Sequence, residues 1–263
     1  MKKIDLTLKK HDAKIGNTCD YIDANIIDDT IFYLDNKAIG FYIKKMPDKM
    51  CKLADLANNE LLSKNVPKSE MQRPKMLGFD ENGKGVVDRS CKQFSTILGS
   101  VAPKAHMRRP YPTISSVHQV KSAETFIKAM LLLAIESEKL IKEILPEQHA
   151  NQLELFKTVP EQWKFGNLFT SSISNYNISA PFHRDTGNII GAVNVIICKR
   201  LNSKGGDLHV PDYNATIGQQ DNSILVYPAW RNVHGVTPII PTFDGGYRNS
   251  LIFYALKAFQ MLD

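Results

Sequence analysis

Apolar and polar residues follow different patterns in the two parts of this chain. Residues 30–44 consist of two apolar runs around a short polar turn, which predicts a β-hairpin. A helical pattern follows from Pro47 to about residue 64, with its leucines on one face. A second helical pattern begins after Ser122, which we expect to act as the N-cap, and ends at Pro146. The first part is therefore expected to contain a hairpin and two amphipathic helices.

Beyond about Lys164 the pattern changes to short β-rich runs separated by Gly, Asn, Pro and Asp. These runs cover residues 167–174, 189–197, 224–227, 233–239 and 249–254. Short strands at this spacing are typical of an antiparallel sandwich or barrel. We therefore predict an α+β, mainly β chain in one continuous domain. An N-terminal helical and hairpin part (residues 1–163) is expected to buttress a β core (residues 164–263), and the polar residues 64–90 are expected to form a loop.

Composition narrows the class of protein. Hydrophobic residues make up 43% of the sequence and charged residues 23%, so a core can form without disulfides. The cysteines are far apart and form no CxxC pair, which argues against a zinc ribbon and favours a reducing compartment. No apolar run follows the first lysines, and none elsewhere is long enough to span a bilayer. We expect a cytoplasmic protein, or one in an intracellular host compartment if it is viral, that is not secreted and has no membrane partner.

The formal net charge of +6 is concentrated in one segment. Between residues 84 and 109 a single acidic residue, Asp88, accompanies Lys84, Arg89, Lys92, Lys104, Arg108 and Arg109. Such a segment could neutralise the phosphates of a nucleic acid. On charge alone, a solvated surface is the simpler interpretation.

Three residues of the β-rich part have the side chains of a metal site. His183 and Asp185 form an HxD pair, and on an extended strand residues i and i+2 point to the same face. His234, at the start of a later β run, supplies a third ligand. Two histidines and one carboxylate are the facial triad of non-haem Fe(II) oxygenases, which leaves three positions open for cosubstrate and O2. The sequence therefore predicts an Fe(II) site.

A second pair of residues fits a dicarboxylate cosubstrate. Arg248 follows His234, and Ser250 lies two residues on, on the same face of a predicted strand. A guanidinium fork and a hydroxyl suit the distal carboxylate of 2-oxoglutarate. A structural salt bridge is the alternative role for Arg248, and a zinc hydrolase would leave the pair unused. His209, two residues after Asp207, is interpreted as structural or as a residue supporting the site.

At these positions the chain resembles a known family over about its last 90 residues. The shared motifs are His183-Arg-Asp-Thr-Gly-Asn188, Gly205-Gly-Asp-Leu-His-Val-Pro211, His234-Gly-Val and Arg248-Asn-Ser-Leu-Ile-Phe-Tyr254. They are similar to those of the TET/JBP branch of Fe(II)/2-oxoglutarate dioxygenases, which oxidise the methyl group of pyrimidine bases. The resemblance implies a double-stranded β-helix (jelly-roll, cupin-like) core with N-terminal helices packed against the sheet.

The resemblance also assigns roles to further residues. It implies that Asn188 hydrogen-bonds a flipped base and that Tyr254 stacks on it, because a methyl group inside a duplex cannot reach a metal ion. Basic residues upstream of the core, Arg108 and Arg109, would contact nucleic acid. One position departs from the family pattern: a histidine that helps to read cytosine is replaced by Leu256. The identity of the base, 5-methylcytosine or thymine, therefore stays open.

The sequence thus predicts an enzyme that uses Fe(II), 2-oxoglutarate and O2 to hydroxylate a pyrimidine methyl group in nucleic acid, with DNA the favoured substrate and no obligatory protein partner. Two alternatives remain. A 2-oxoglutarate-dependent hydroxylase of a small molecule or protein side chain would leave the basic segment as mere surface. An inactive cupin-like binding module would keep the fold without the chemistry.

Overall fold

The structure of the protein is a computed structural model. It describes residues 1–70, 92–104 and 109–261, and the backbone of residues 75–79 and 85–88. Its α-helices are α1 (Asp48–Leu62), α2 (Glu124–Ile144) and α3 (Pro146–Phe156). No helix of the described residues is long and apolar enough to cross a membrane.

The strands before α3 form the outer parts of the structure. They are β1 (Lys2–Asp5), β2 (Thr30–Leu34), β3 (Lys37–Ile43), β4 (Ser69–Glu70), β5 (Lys75–Phe79), β6 (Gly85–Asp88), β7 (Phe94–Val101) and β8 (Thr113–Ile114). The predicted hairpin of residues 30–44 is confirmed as β2 and β3, which pair antiparallel. Asp35 and Asn36 make its turn with positive φ values of 50° and 62°, a conformation that these two residue types tolerate.

The strands after α3 form the centre. They are β9 (Ser171–Tyr176), β10 (Ala180–His183), β11 (Asn194–Leu201), β12 (Ser203–Gly205), β13 (Leu208–Val210), β14 (Ala215–Ile217), β15 (Ile224–Tyr227), β16 (His234–Val236), β17 (Ile239–Pro241) and β18 (Tyr247–Tyr254). The five predicted β runs all contain strands, shifted by a few residues at their ends.

Two sheets face each other. The large sheet has the strand order β1-β2-β3-β15-β11-β18-β9-β7-β4, with β8 paired to β7, and the small sheet has the order β10-β16-β13-β14. From β10 to β18 the chain passes repeatedly from one sheet to the other, which is the winding of a double-stranded β-helix, or jelly roll. β3 pairs antiparallel with β15, so the large sheet combines strands from both predicted parts of the chain.

The helices cover the outer face of the large sheet. Residues of α1 and α2 share one buried cluster with side chains of β11, β15 and β18, among them Leu251 and Phe253. A second apolar cluster lies between the two sheets and includes Tyr42 and Leu208. Since side chains alternate along a strand, β18 sends Leu251 and Phe253 to the helices and Arg248 and Ser250 to the space between the sheets.

Two local predictions need correction, and the helix that begins at Pro146 was not predicted. Residues 64–90 are not simply a loop, because they contain β4 and a β5–β6 hairpin whose backbone pairing their polar composition did not reveal. Ser122 is not the N-cap of α2: the helix begins at Glu124 after a short 3-10 turn, and the Ser122 hydroxyl donates to the Asn65 carbonyl at 2.8 Å. Pro146 ends α2 but also starts α3, since a first-turn proline needs no amide hydrogen.

Candidate metal centre and substrate cavity

Three side chains with metal-binding atoms meet at the open end of the two sheets. His183, Asp185 and His234 each offer one ligand atom, and these atoms lie within 4.8 Å of one another. His183 ends β10 and pairs across the small sheet with His234 at the start of β16. Asp185 does not share an extended strand with His183 as expected, because β10 stops at His183. A turn follows, in which the backbone N–H of Asn188 donates to the backbone carbonyl of Asp185. This turn places the Asp185 side chain beside the two histidines.

Backbone carbonyls orient both histidine rings. The His183 Nδ1 lies 2.8 Å from the Pro181 carbonyl, and the His234 Nδ1 lies 3.0 Å from the Asn232 carbonyl. A carbonyl oxygen can only accept, so each Nδ1 carries a hydrogen, and in the neutral ring Nε2 then keeps its lone pair for another partner. Each neutral ring is thus set up for coordination through Nε2. Burial, followed by the nearby His183, lowers the pKa of His234, which favours the same neutral form.

Two asparagines support Asp185. The Asn194 Nδ2 donates to Asp185 Oδ2 at 3.0 Å, and the Asn188 Nδ2 donates to Asn194 Oδ1 at 2.8 Å. Asn188 Nδ2 also lies 3.5 Å from Asp185 Oδ2. Because these contacts use Oδ2, the other carboxylate oxygen remains directed at His183, whose Nε2 is 3.5 Å away. A hydrogen-bonded carboxylate of this kind is usual among metal ligands.

The three residues open into a cavity of about 430 Å³ between the sheets. Its apolar wall includes Ile173, Ile178, Ile196, Leu208, Val236 and Ile252. Its polar groups include the metal-site residues, Arg184, Asn188, Asn194, Arg248, Ser250 and Tyr254. A mostly apolar pocket with a few convergent polar groups is the usual form of a small-molecule site.

Arg248 supplies the test of whether a dicarboxylate fits this cavity. Its side chain is buried, with a relative exposure of 3%, yet its Nε has no hydrogen-bond partner among the described residues. A buried charged donor without a partner is costly, and an anion bound in the cavity would remove that cost. Ser250, two residues along the same strand face, lines the cavity beside it. The residues present therefore fit 2-oxoglutarate, as they fit a metal ion.

Asn188 and Tyr254, which the resemblance implies contact a flipped base, also line this cavity. Tyr254 is half-buried, and burial together with the charge of Asp185 raises the pKa of its phenol, so the ring stays neutral. Asn188 and Leu256 face each other in an antiparallel bridge, and both contribute to the wall. The position where the resemblance implies a cytosine-reading histidine is thus occupied by an apolar side chain directly opposite Asn188.

Other candidates lie elsewhere. Arg109 does not line the cavity: its Nε donates to the Ala102 carbonyl at 3.0 Å within its own loop. Arg108 lies outside the described residues, so its predicted contact stays a prediction. His209 is buried and its Nδ1 lies 2.8 Å from the Thr216 hydroxyl, which is a structural contact.

The sequence interpretation missed Asn194, although a lone asparagine within the apolar run 189–197 was a signal for a buried polar role.

Comparison with solved structures identifies the fold. No family model and no curated protein sequence matches the chain. The structure resembles that of NgTET1 in complex with 5mC DNA, with a TM-score of 0.60 and 12% sequence identity over 99% of this chain and 84% of that one. The double-stranded β-helix fold with its helix-covered large sheet, predicted from the sequence, is therefore confirmed, as is the resemblance to a TET-like structure.

Two more distant matches complete the comparison. One is an oxidoreductase of the 2OG-Fe(II) oxygenase family from Burkholderia pseudomallei, with a TM-score of 0.41 and 13% identity over 78% of this chain and 82% of that one. The other is OsALKBH1, with a TM-score of 0.40 and 11% identity over 82% of this chain and 97% of that one. At these scores the matches add no detail to the fold.

Proposed function

We propose that this protein is an Fe(II)/2-oxoglutarate-dependent dioxygenase that hydroxylates the methyl group of a pyrimidine base in nucleic acid. The observation that carries the proposal is the content of one cavity. It combines three metal-ligand atoms within 4.8 Å of one another with a buried arginine whose Nε is unpaired. Bound Fe(II) and 2-oxoglutarate would supply the oxidising chemistry, in which one atom of O2 enters the substrate and the other enters succinate.

The protein residues would divide the binding tasks among them. His183, Asp185 and His234 would hold Fe(II) through Nε2, one carboxylate oxygen and Nε2. Arg248 and Ser250 would bind the far carboxylate of 2-oxoglutarate and so fix its orientation. His183, His234, Arg248 and Ser250 lie on strands of the two sheets, and Asp185 lies in the turn after β10, which limits the movement of the groups that would hold the metal and the cosubstrate.

A nucleic acid substrate is supported by three features. The fold is shared with NgTET1, whose structure contains 5mC DNA. The chain carries a net charge of +6, and the exposed Arg184 lies at the cavity wall. The exposed Lys257 adjoins the same opening, because its amide donates to the Gly187 carbonyl at 3.0 Å. Cations at the mouth of a cavity suit phosphates that flank an extruded base.

The first experiment tests the cofactor and the substrate separately. Anaerobic addition of Fe(II) and 2-oxoglutarate is expected to give a metal-to-ligand charge-transfer band near visible wavelengths. Oligonucleotides that carry 5-methylcytosine or thymine are then incubated with the aerobic complex, and nucleosides are analysed by mass spectrometry. We expect hydroxymethyl product and an equal amount of succinate. DNA and RNA versions of each oligonucleotide decide which polymer is used.

Each alternative has its own outcome. A band without oxidised base, but with turnover of a free nucleoside or a peptide, would replace the nucleic acid substrate by a small molecule or side chain. Absence of the band would leave only a binding module. Asp185→Ala is the matched control, because it removes a metal ligand while leaving Arg248 and the sheets in place.

A further inference from the structure

The N-terminal segment runs along the two strands that carry the candidate histidine ligands. Residues 9–19 lie between β1 and β2 without forming a helix or strand of their own, and we call them the N-terminal strap. The Gly16 N–H donates to the Phe182 carbonyl, and the Phe182 N–H donates to the Asn17 carbonyl, each at 2.8 Å. Phe182 directly precedes His183 on β10, which is an edge strand of the small sheet. The strap therefore bonds the free edge of the strand that ends at this ligand.

The strap also reaches the other histidine, through a chain of hydrogen bonds. The His11 Nε2 lies 2.7 Å from Asp212 Oδ1, and the Asn232 Nδ2 donates to Asp212 Oδ2 at 2.5 Å. The Lys9 N–H donates to the Asp212 carbonyl at 2.7 Å, so the strap holds this residue by its backbone as well. The Asn232 carbonyl is the group that lies 3.0 Å from His234 Nδ1. The chain thus links the strap to the second candidate ligand.

The directions of these hydrogen bonds follow from chemistry. The Ala13 N–H can only donate, and it lies 3.2 Å from His11 Nδ1, so in the neutral ring Nε2 carries the hydrogen. An ionised carboxylate can only accept, so the Asp212 oxygens receive hydrogens from His11 and from the Asn232 amide. The Tyr213 hydroxyl donates to Asn232 Oδ1 at 3.0 Å. The Asn232 side chain is therefore held at both ends.

A fixed Asn232 side chain also fixes the position of the Asn232 backbone carbonyl. The neutral ring of His234 has two tautomers, and only the one with its hydrogen on Nδ1 leaves Nε2 free for a metal ion. The carbonyl selects that tautomer as long as it stays close to Nδ1. The strap touches the next residue too, because a Cβ placed on Gly235 would lie 2.7 Å from the Cys19 Cβ. The backbone is therefore confined on both sides of His234.

We infer that the N-terminal strap positions the candidate metal site, with His11 acting through Asp212 and Asn232 on the ring of His234. His11 is a positioning residue and does not touch the metal itself. Ordinary packing of a chain terminus would stabilise the fold without selecting a tautomer of this ring. The metal consequence rests on the proposed function, whereas the tautomer of His234 can be measured without any metal.

The tautomer is tested first, in the metal-free protein. Long-range proton–nitrogen NMR spectra report which ring nitrogen carries the hydrogen, and they are recorded at a pH where His234 is neutral. Wild type is expected to carry it on Nδ1. His11→Leu is expected to show a mixture of both tautomers, because Asp212 has lost one of its donors. His11→Gln should restore the wild-type tautomer, since its amide can donate to Asp212 in place of the ring. An unchanged tautomer in folded His11→Leu would overturn the inference.

The consequence for the metal is tested with Mn(II) as the probe, by the loss of the free-ion EPR signal on binding. The dissociation constant should rise about tenfold in His11→Leu, as for other residues that support a metal ligand, and should stay within about twofold of wild type in His11→Gln. Asn232→Ala should weaken binding by a similar factor. The double variant should bind little more weakly than either single variant, because both residues act through one carbonyl. Multiplied losses in the double variant would overturn the route through Asn232.

His149→Leu is the matched control, because it removes a histidine that lies beside a carboxylate far from this site. The His149 Nε2 is 3.3 Å from Glu138 Oε1, in a contact that joins α3 to α2. Both leucine variants should lower the melting temperature, but only His11→Leu should change the His234 tautomer and the Mn(II) affinity. A fall in melting temperature alone in His11→Leu would make the strap purely structural and overturn the inference. If wild type binds no Mn(II), the metal assignment of the proposed function fails, and the tautomer decides whether the strap positions the ring.

Discussion

The two faces of β18 differ in what they contact, although their residues alternate along one strand. On the helix side, Leu251 and Phe253 are fully buried, and the Phe253 ring lies 5.6 Å from that of Phe169. On the cavity side, Arg248 is also buried, with a relative exposure of 3%, but its Nε has no hydrogen-bond partner among the described residues. One face thus satisfies its groups within the protein, and the other leaves a charged group for a ligand.

The two faces separate the residues that stabilise the fold from the residues that are available to a ligand. Apolar burial on the helix side stabilises the protein whether or not a ligand is present. The polar groups of the cavity side stabilise a bound ligand and are a cost to the empty protein. Substitutions on the cavity side should therefore change ligand affinity, whereas substitutions on the helix side should change the free energy of unfolding.

The largest effect is expected at the metal ligands. His183→Ala, Asp185→Ala or His234→Ala should reduce succinate formation to the background rate and remove the charge-transfer band, since two ligands hold Fe(II) poorly. His183 has a side-chain exposure of 40%, so its loss should change the free energy of unfolding by less than about 1 kcal/mol. Loss of Asp185 leaves the buried Asn194 Nδ2 without its acceptor and should cost about 1–3 kcal/mol. Turnover and urea unfolding are measured together. Glu154→Ala, an exposed residue of α3, is the control, and turnover in a triad variant would contradict the assignment.

The opposite result is expected on the helix side. Phe253→Ala should lower the free energy of unfolding by about 3–5 kcal/mol, because it opens a cavity in the core. Below its melting temperature the variant should bind Mn(II) with wild-type affinity. Ser250→Ala, on the other face of the same strand, should raise the KM for 2-oxoglutarate with little effect on unfolding. Loss of metal affinity in folded Phe253→Ala would show that the faces are not independent.

The alternation that separates these faces explains why the core was predictable from the sequence. Runs such as 249–254 fix which side chains share a face, so Arg248 and Ser250 could be paired without a structure. The HxD pair and His234 were recognisable by residue type, and the structure brings them together. The metal role of the HxD pair and His234 stays a prediction, as does the cosubstrate role of Arg248 and Ser250.

Features that depend on individual contacts in the folded structure, rather than on periodicity, could not be predicted. The β2–β3 hairpin was expected, but its pairing with β15 joins segments almost two hundred residues apart. Asp185 reaches the histidines through a turn, whereas the sequence pattern indicated an extended strand. Asn194 owes its role to the position of Asp185 in space, and Arg109 is held in its own loop by a local carbonyl. Periodicity carries no information about such contacts.

A cavity-side substitution should weaken cosubstrate binding without harming the fold. Arg248→Met keeps the length of the side chain and removes the buried charge, including the unpaired Nε. The affinity for 2-oxoglutarate should fall about 100-fold, the size of a lost charge-assisted contact. The free energy of unfolding without cosubstrate should stay the same or rise, because an uncompensated charge is gone. Calorimetric titration and urea unfolding measure the two quantities, and a clear loss of stability would assign Arg248 a structural role.

The smallest effect concerns the apolar end of the same space between the sheets. Tyr42 is completely buried there, and burial raises the pKa of its phenol to about 12. The unfolded chain ionises near pH 10, so the contribution of Tyr42 is intact below that pH and is lost as pH rises from about 10 to 12. Between pH 9 and pH 11, Tyr42→Phe should therefore lose about 1 kcal/mol less unfolding free energy than wild type. Tyr111→Phe, at a residue that is 75% exposed, should lose as much as wild type. Equal losses in all three proteins would mean that water reaches Tyr42, and that the cavity extends through the whole layer between the sheets.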